Sequence, residues 1–446
     1  MGRRSHARAL NVWANGRLIG EWCLPSRSAM EFRYAPEWVA SAEARPLSLS
    51  LPITLDNAPL RGEAVGFYFD NLLPDSDPIR RRLQTRFHTD SRDAFDLLEA
   101  IGRDCVGAVQ LLPENKTPED VFTIQAEPLT DSEIERLLVA SVSAAPAGFG
   151  GGTDEEFRIS LAGAQEKTAL LRHESRWCRP HAATPTTHIL KLPLGLVGNR
   201  QADMRTSVEN EWLCARILAA YGMPVAACEI GHFGAQKALI VERFDRRLHP
   251  SGNYWLRLPQ EDFCQATGTP GSAKYEADGG PGLVGIARIL QGSEARDADL
   301  ATLMRAQLLF WMLAATDGHA KNFSLHLLAG GRYRLTPLYD VLSAWPVTGR
   351  GANRLDRNKL QLAMAVRGKN VHYKLREIQR RHFNTTARLC GFGADMENIM
   401  ADVLSQTEGV IAGVEKSLPP GFPMEIFETI TAGLRSAAQR LEAMTR

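Results

Sequence analysis

Paired cysteines are missing from this chain. Its seven cysteines are scattered, and none stands in a C-x-x-C. An odd count without paired spacing argues against a disulfide framework or a zinc site, and fits free thiols in a reducing compartment. Charge of one sign is also missing: 52 basic against 51 acidic residues leave +1, so no overall field draws the chain to nucleic acid or membrane. A local basic face is compatible with that balance. Long hydrophobic runs are lacking too; the longest, around Leu308–Ala315, is far too short to span a bilayer. The start MGRRSHARAL leads into NVWANGRLIG rather than an apolar stretch, so it does not read as a secretory signal. His6 stands where a myristoylation motif requires Ser or Thr. A cytoplasmic protein without a membrane partner is expected.

What is present is an ordinary globular composition over 446 residues, room for two or three folding units with an ample core. The first third reads as short strands and turns. NVWANGRLIGEW looks like a hairpin around Asn15-Gly16, and ARPLSLSLP alternates apolar and polar residues like a half-buried strand. Helices follow in DPIRRRLQTRF and AFDLLEAIGRD, then a closing strand in VGAVQLLP. PENKTPEDV and AAPAGFGGGTDEE are Gly- and Pro-rich connectors. From Phe157, FRISLAGAQEKTALLR reads as strand, tight loop, strand, and RWCRP and THILKLP add two more. SVENEWLCARILAAYGMP has helical spacing, with Gly222 and Pro224 as its stop. Beyond Pro259 most segments read as helix, including EDFCQATG, GLVGIARILQ and ATLMRAQLLFWMLAA. The exception is a hairpin in FSLHLLAGGRYRLTPLYD around Gly330-Gly331.

The apolar helix before that hairpin ends in TDGHAKNF (Thr316–Phe323). Asp317 and Asn322 are separated by four residues, and Asp340 follows across the hairpin. This is the order and spacing of a kinase catalytic loop and its metal-binding Asp. Phosphoryl transfer rests on positioning and charge neutralisation. One carboxylate must take the proton of the attacking hydroxyl, which suits Asp317. An amide oxygen and a second carboxylate must hold Mg²⁺, a hard cation, which suits Asn322 and Asp340. A turn after a helix would account for Asp317-Gly318 alone; the ordered set of three is harder to explain that way.

Other parts of a kinase have candidates. Lys191 stands mid-strand before a helix carrying Glu209 and Glu211, either of which could pair with it. SLAGAQEK (Ser160–Lys167) could cover phosphates through backbone amides and Lys167. IVERFD (Ile240–Asp245) could be a hinge reading adenine, although a strand leaving the core has the same spacing. GPGLVG (Gly280–Gly285) matches G-x-G-x-x-G but follows a polar turn, so it reads as a helix entry. His319 and His326 are not assigned as metal ligands.

FRISLAGAQEKTALL, TPTTHILKLP, VERFDRR, LRLPQEDFCQ, KYEADGGPG, ATDGHAKNFS and RLTPLYDVLSA, with YAPEW, ARPLSLSLP and FDNLLPDS before them, resemble the HipA family of serine/threonine kinase toxins. The resemblance implies an α+β, bilobal protein-kinase-like fold with a small β-rich N-terminal subdomain and an all-helical C-lobe. The corresponding divisions are residues 1–115, a kinase-like N-lobe at 116–258 and a C-lobe at 259–446. It implies ATP and Mg²⁺ as cofactors, Asp317 as base, and Asn322 and Asp340 as metal ligands. The nucleotide would meet Lys191, the phosphate loop Ala162, Gly163, Ala164, Gln165, Glu166 and Lys167, and the hinge Glu242, Arg243 and Phe244. His319 would lie at the phosphates, with Ala320, Lys321 and Tyr339 beside it. Ser160 would be an autophosphorylation site that switches the kinase off. Partners implied are a HipB-like helix-turn-helix antitoxin, operator DNA through that complex, and glutamyl-tRNA synthetase as substrate, whose modification arrests growth and favours persistence. At the segment where the resemblance implies DNA contact, Arg388 retains a positive charge, whereas Gly391 stands where a second basic residue is expected. Two other classes share parts of this pattern: a small-molecule kinase on a related fold, and a corepressor that mainly holds antitoxin and DNA.

Overall fold

The structure is a computed structural model that describes residues 8–25, 29–142, 160–162, 165–198 and 201–445. The connector AAPAGFGGGTDEE, the FRI of the first expected strand, and Gly163 and Ala164 lie outside the described residues.

The N-terminal unit is a five-stranded antiparallel sheet, ordered Leu60–Arg61, Glu31–Tyr34, Arg17–Leu24, Arg8–Ala14, Gln110–Pro113. Asn15 and Gly16 turn its first hairpin with φ of 48° and 79°, the two positive values a two-residue turn of this hand needs. Helices Glu63–Asp70 and Ala94–Ile101 cover the sheet around a core of Trp22, Phe32, Phe69 and Phe95. Trp22 and Phe69 stack with ring centroids 4.0 Å apart.

ARPLSLSLP forms no strand; it makes only an isolated bridge between Ser48 and Leu51. Its backbone and hydroxyls go elsewhere. Leu49 N donates to Glu261 Oε1 (3.0 Å) and Ser50 Oγ to the Gln265 carbonyl (2.7 Å), so the segment is stitched to another unit instead of to a ladder.

A six-stranded antiparallel sheet comes next, ordered Cys228–Phe233, Gln236–Glu242, His188–Lys191, Lys167–His173, Arg176–Pro180, Ala126–Pro128. Side chains alternate between its faces. Leu170, Leu190 and Ile240 meet helix Asp131–Val142 through Ile134 and Leu138. Leu239 and Val241 face the other way, into the core shared with helix Ser207–Ala220. Lys191 is on that second face, and its direct cross-strand partner is Lys167.

The rest is built around helix Arg296–Leu313, whose last eight residues are all buried, as a helix apolar on every side requires. Helices Leu283–Leu290 and Met424–Ala443 pack on it. The all-helical expectation needs amending, because this lobe also carries a three-stranded sheet (Gln260–Asp262, Ser324–Leu327, Tyr333–Leu335) and a hairpin (Gln361–Arg367, Val371–Lys374). EDFCQATG divides accordingly. Its start pairs with Ser324–Leu327, and Asp262 then caps the single turn Phe263–Ala266 by accepting from Gln265 N at 2.8 Å. No helix among the described residues is long and apolar enough to cross a membrane.

Candidate active site

The buried helix ends at Ala314, which takes φ 49°, and Ala315 N closes the turn on the Phe310 carbonyl at 2.8 Å. Gly318 passes so close to Phe310 that a Cβ would lie 2.5 Å from the ring. The loop then folds on itself: His319 N and Asn322 Nδ2 both donate to the Asp317 carbonyl, at 2.8 and 2.7 Å. These bonds fix the Asp317 backbone while its carboxylate projects outward, 56% exposed. Asn322 spends its amide N–H inside the loop, and its side-chain oxygen has no partner among the described residues.

Asp340 joins the loop through its neighbour, since the Tyr339 hydroxyl donates to the Lys321 carbonyl at 2.8 Å. Asp340 takes φ 61°, a left-handed conformation costing on the order of 1–3 kcal/mol for a non-glycine residue, and such strain clusters at functional positions. Its Oδ1 accepts from Lys191 Nζ at 2.7 Å, and the same ammonium donates to Glu211 Oε1 at 2.6 Å. The partner of Lys191 is therefore Glu211; Glu209 is engaged by Lys237. Burial works against the charge on both members of the Lys191–Asp340 pair, but each is held ionised by the other. Glu211, Val241, Tyr339 and Asp340 line one small pocket.

Lys167, opposite Lys191, is brought down to about 8 by burial and by the like charge of Lys191, against the pull of Asp340. His319 is buried and within electrostatic reach of both Asp317 and Asp340, so it stands between the halves of the site. Desolvation lowers its pKa and keeps the ring neutral. Its Nδ1 is buried without a hydrogen-bond partner among the described residues.

Around the phosphate-loop segment, Gln165 donates to the Leu192 carbonyl (2.7 Å), Glu166 pairs with Arg82, and Ala162 is half-buried. Ser160 is fully buried and its hydroxyl donates to the Leu72 carbonyl at 2.8 Å. At the hinge segment Glu242 is exposed, and Phe244 packs on Tyr339 at 5.7 Å between ring centroids. The Arg243 side chain points away, into a buried cluster with Asp104, Asp245, Arg246 and Arg257. Ala320 is buried, and Lys321 is held by Asn71 Oδ1 (2.8 Å) and Asp75 (3.2 Å). Its ammonium thus braces the loop from below. Arg388 is exposed on helix Arg380–Leu389 and bonds Thr385 and the Ala394 carbonyl.

Sequence reading missed several contributors. Tyr275 donates its hydroxyl to Asp317 Oδ1, and Asn71, Leu72, Asp75 and Arg82 of the N-terminal unit reach the two loops. Their separations along the chain carry no periodic signal. A cavity of about 280 Å³ lined by Trp38, Tyr68 and Tyr254 contains none of the site residues, so chemistry rather than volume locates the site.

Asp340, held by Lys191, and Asn322, held within its own loop, each carry a hard side-chain oxygen of the kind Mg²⁺ takes. A family model described as the HipA-like C-terminal domain matches residues 159–411, and one for the HipA N-terminal domain matches residues 10–112. The chain belongs to the HipA family. Among curated relatives, the putative kinase Y4mE of Sinorhizobium fredii is 34% identical over 340 residues, 75% of this chain and 77% of that protein. The serine/threonine-protein kinase toxin HipA of Shewanella oneidensis is 29% identical over 362 residues, 78% of this chain and 76% of that protein. Among solved structures, the S. oneidensis HipA in complex with HipB and operator DNA superposes with a TM-score of 0.77 at 23% identity, covering 98% of both chains. The architecture is thus the two-lobed, kinase-like HipA fold.

Proposed function

We propose that this chain is an ATP- and Mg²⁺-dependent serine/threonine protein kinase and the toxin of a toxin–antitoxin pair. The observation that carries the reading is the convergence of Lys191, Glu211 and Asp340 from one side with Asp317 and Asn322 from the other, joined through His319. Asp317 accepts the proton of the acceptor hydroxyl, its carboxylate being the exposed member of the loop. Lys191 and Lys167 face the phosphates, and the phosphate loop between Ala162 and Lys167 covers them. His319 presents a neutral ring to the same groups. Asn322 and Asp340 would hold Mg²⁺, which when bound neutralises charge on the transferring phosphate. Glu242, Arg243 and Phe244 supply backbone at the adenine, while the Arg243 side chain serves the core.

Ser160 is the proposed autophosphorylation site. Its hydroxyl is buried against Leu72, so it must leave that seat to react. A HipB-like antitoxin and operator DNA are the proposed partners, on the likeness to the S. oneidensis complex, with Arg388 available to the DNA. Glutamyl-tRNA synthetase is the proposed substrate and the cytoplasm the proposed location.

The test is transfer of label from γ-labelled Mg-ATP by the purified chain in a cell extract, with identification of the labelled band. Asp317→Gln is expected to lower transfer on the order of 10²–10⁴-fold with an unchanged circular dichroism spectrum. Full activity in that variant would remove Asp317 as the base.

A further inference from the structure

Asp317 is the exposed group of an otherwise buried loop, and an exposed carboxylate rotates freely unless something holds it. Here something does. The Tyr275 hydroxyl donates to Asp317 Oδ1, and His319 Nε2 lies 3.9 Å from the same oxygen. The phenol is itself anchored to the catalytic loop. Its ring stands edge-on to His319, with centroids 5.0 Å apart and planes at 90°. Ala320 N donates to the carbonyl of Lys274, and Lys274 Nζ pairs with Asp75 at 2.9 Å. The Tyr275 carbonyl accepts from both Asp278 N and Gly280 N at 3.0 Å, and a Cβ on Gly280 would lie 2.0 Å from the Ala273 carbonyl. The turn carrying Tyr275 therefore moves with the loop that carries Asp317.

We infer that Tyr275 is a positioning residue for phosphoryl transfer, locking the Asp317 carboxylate through Oδ1 so that Oδ2 is presented to the acceptor hydroxyl. This inference rests on the kinase reading. Burial and the adjacent Asp317 charge both raise the phenol's pKa, so it stays a donor across the working range. The rigid anchoring favours this role over that of a plug, which would have to swing clear for a substrate to bind.

The experiment is single-turnover transfer from γ-labelled Mg-ATP to casein and to the chain itself, comparing wild type, Tyr275→Phe, Asp317→Asn and the double variant. Phe keeps the ring against His319 and removes only the donor. Tyr275→Phe is expected to lower kcat about 10-fold, as a mispositioned catalytic group does, with KM for ATP and the melting temperature unchanged. In the Asp317→Asn background the same change is expected to have no further effect on residual transfer, because the two groups act as a unit. An unchanged kcat, a loss shared with KM and melting temperature, or full additivity would overturn the positioning role. A rise in kcat would make Tyr275 a plug and overturn it as well. Absence of transfer by the wild-type chain would overturn the kinase reading itself, and this inference with it.

Discussion

Lys167 and Lys191 face each other across one strand pair, an arrangement that costs stability unless the charges are compensated. Lys191 is compensated twice, by Glu211 and Asp340. Lys167 has no ion pair among the described residues, and burial and its neighbour's charge bring its pKa down to about 8 against the pull of Asp340. A lysine that titrates there is protonated below pH 8 and neutral above it. If Lys167 holds ATP phosphates, KM for Mg-ATP should rise as pH goes from 7 to 9. Lys167→Arg, which stays charged throughout, should flatten that rise. A wild-type KM that is constant over this range would detach Lys167 from the phosphates. The residues easiest to read from sequence were those with local spacing, Asp317 and Asn322 in one loop and Asp340 just beyond a hairpin. The choice between Glu209 and Glu211 was not legible. Two positions apart on a helix they point in different directions, and only packing against Lys237 and Lys191 distinguishes them. Tyr275 was invisible for a related reason: a hydrogen bond across 42 residues leaves no pattern in the chain.

The segment from Asn71 to Arg82, at the element scale, ties the site together. Adjacent carbonyls do different jobs: that of Asn71 accepts from Lys321 of the catalytic loop (3.2 Å), and that of Leu72 accepts from Ser160 (2.8 Å). Asp75 holds both Lys274 and Lys321, and Arg82 reaches Glu166. The N-terminal unit therefore braces the proposed catalytic and phosphate loops at once. Asp75→Asn should lower kcat about 10-fold with little change in ATP affinity, since it loosens the loop under Asp317 rather than the Lys191 side. Equilibrium nucleotide binding beside single-turnover rates checks this; equal losses in both would mean a general collapse of the cleft. Another segment of the N-terminal unit departs from its sequence pattern. The alternation in ARPLSLSLP has the period of a strand, yet its polar groups serve Glu261 and Gln265 of another unit. Periodicity reports which side chains are buried, and it is silent on where the backbone finds its partners.

Two buried polar clusters join the N-terminal unit to the rest of the molecule. In the first, Asp104 accepts from Arg246 and Arg257 at 2.9 and 3.2 Å and pairs with Arg243 at 3.4 Å. Three arginines share two carboxylates there, so the loss of Asp104 would leave charge buried without compensation. Asp104→Asn should destabilise the chain by about 3–5 kcal/mol in urea unfolding. In the second cluster Glu261 is fully buried, accepts from Ser48 and Leu49, and has no cation paired with its carboxylate among the described residues. Burial lifts its pKa from 4.5 to about 8, so between those values the folded chain binds a proton that the unfolded chain has released. Stability from this group is complete below pH 4.5 and is lost as pH rises towards 8. His188 and His382, lowered to about 4 by burial, push the opposite way from pH 4 to 6.5, so wild type alone is not diagnostic. The difference between Glu261→Gln and wild type is. Glutamine keeps an oxygen to accept from Leu49 N, can donate its amide N–H to the Ser48 hydroxyl oxygen, and cannot ionise, so the variant should gain on wild type steadily from pH 5 to pH 8 in urea midpoint. A difference that stays constant with pH would mean that Glu261 is ionised in the folded chain, its charge met by the donors of Ser48 and Leu49.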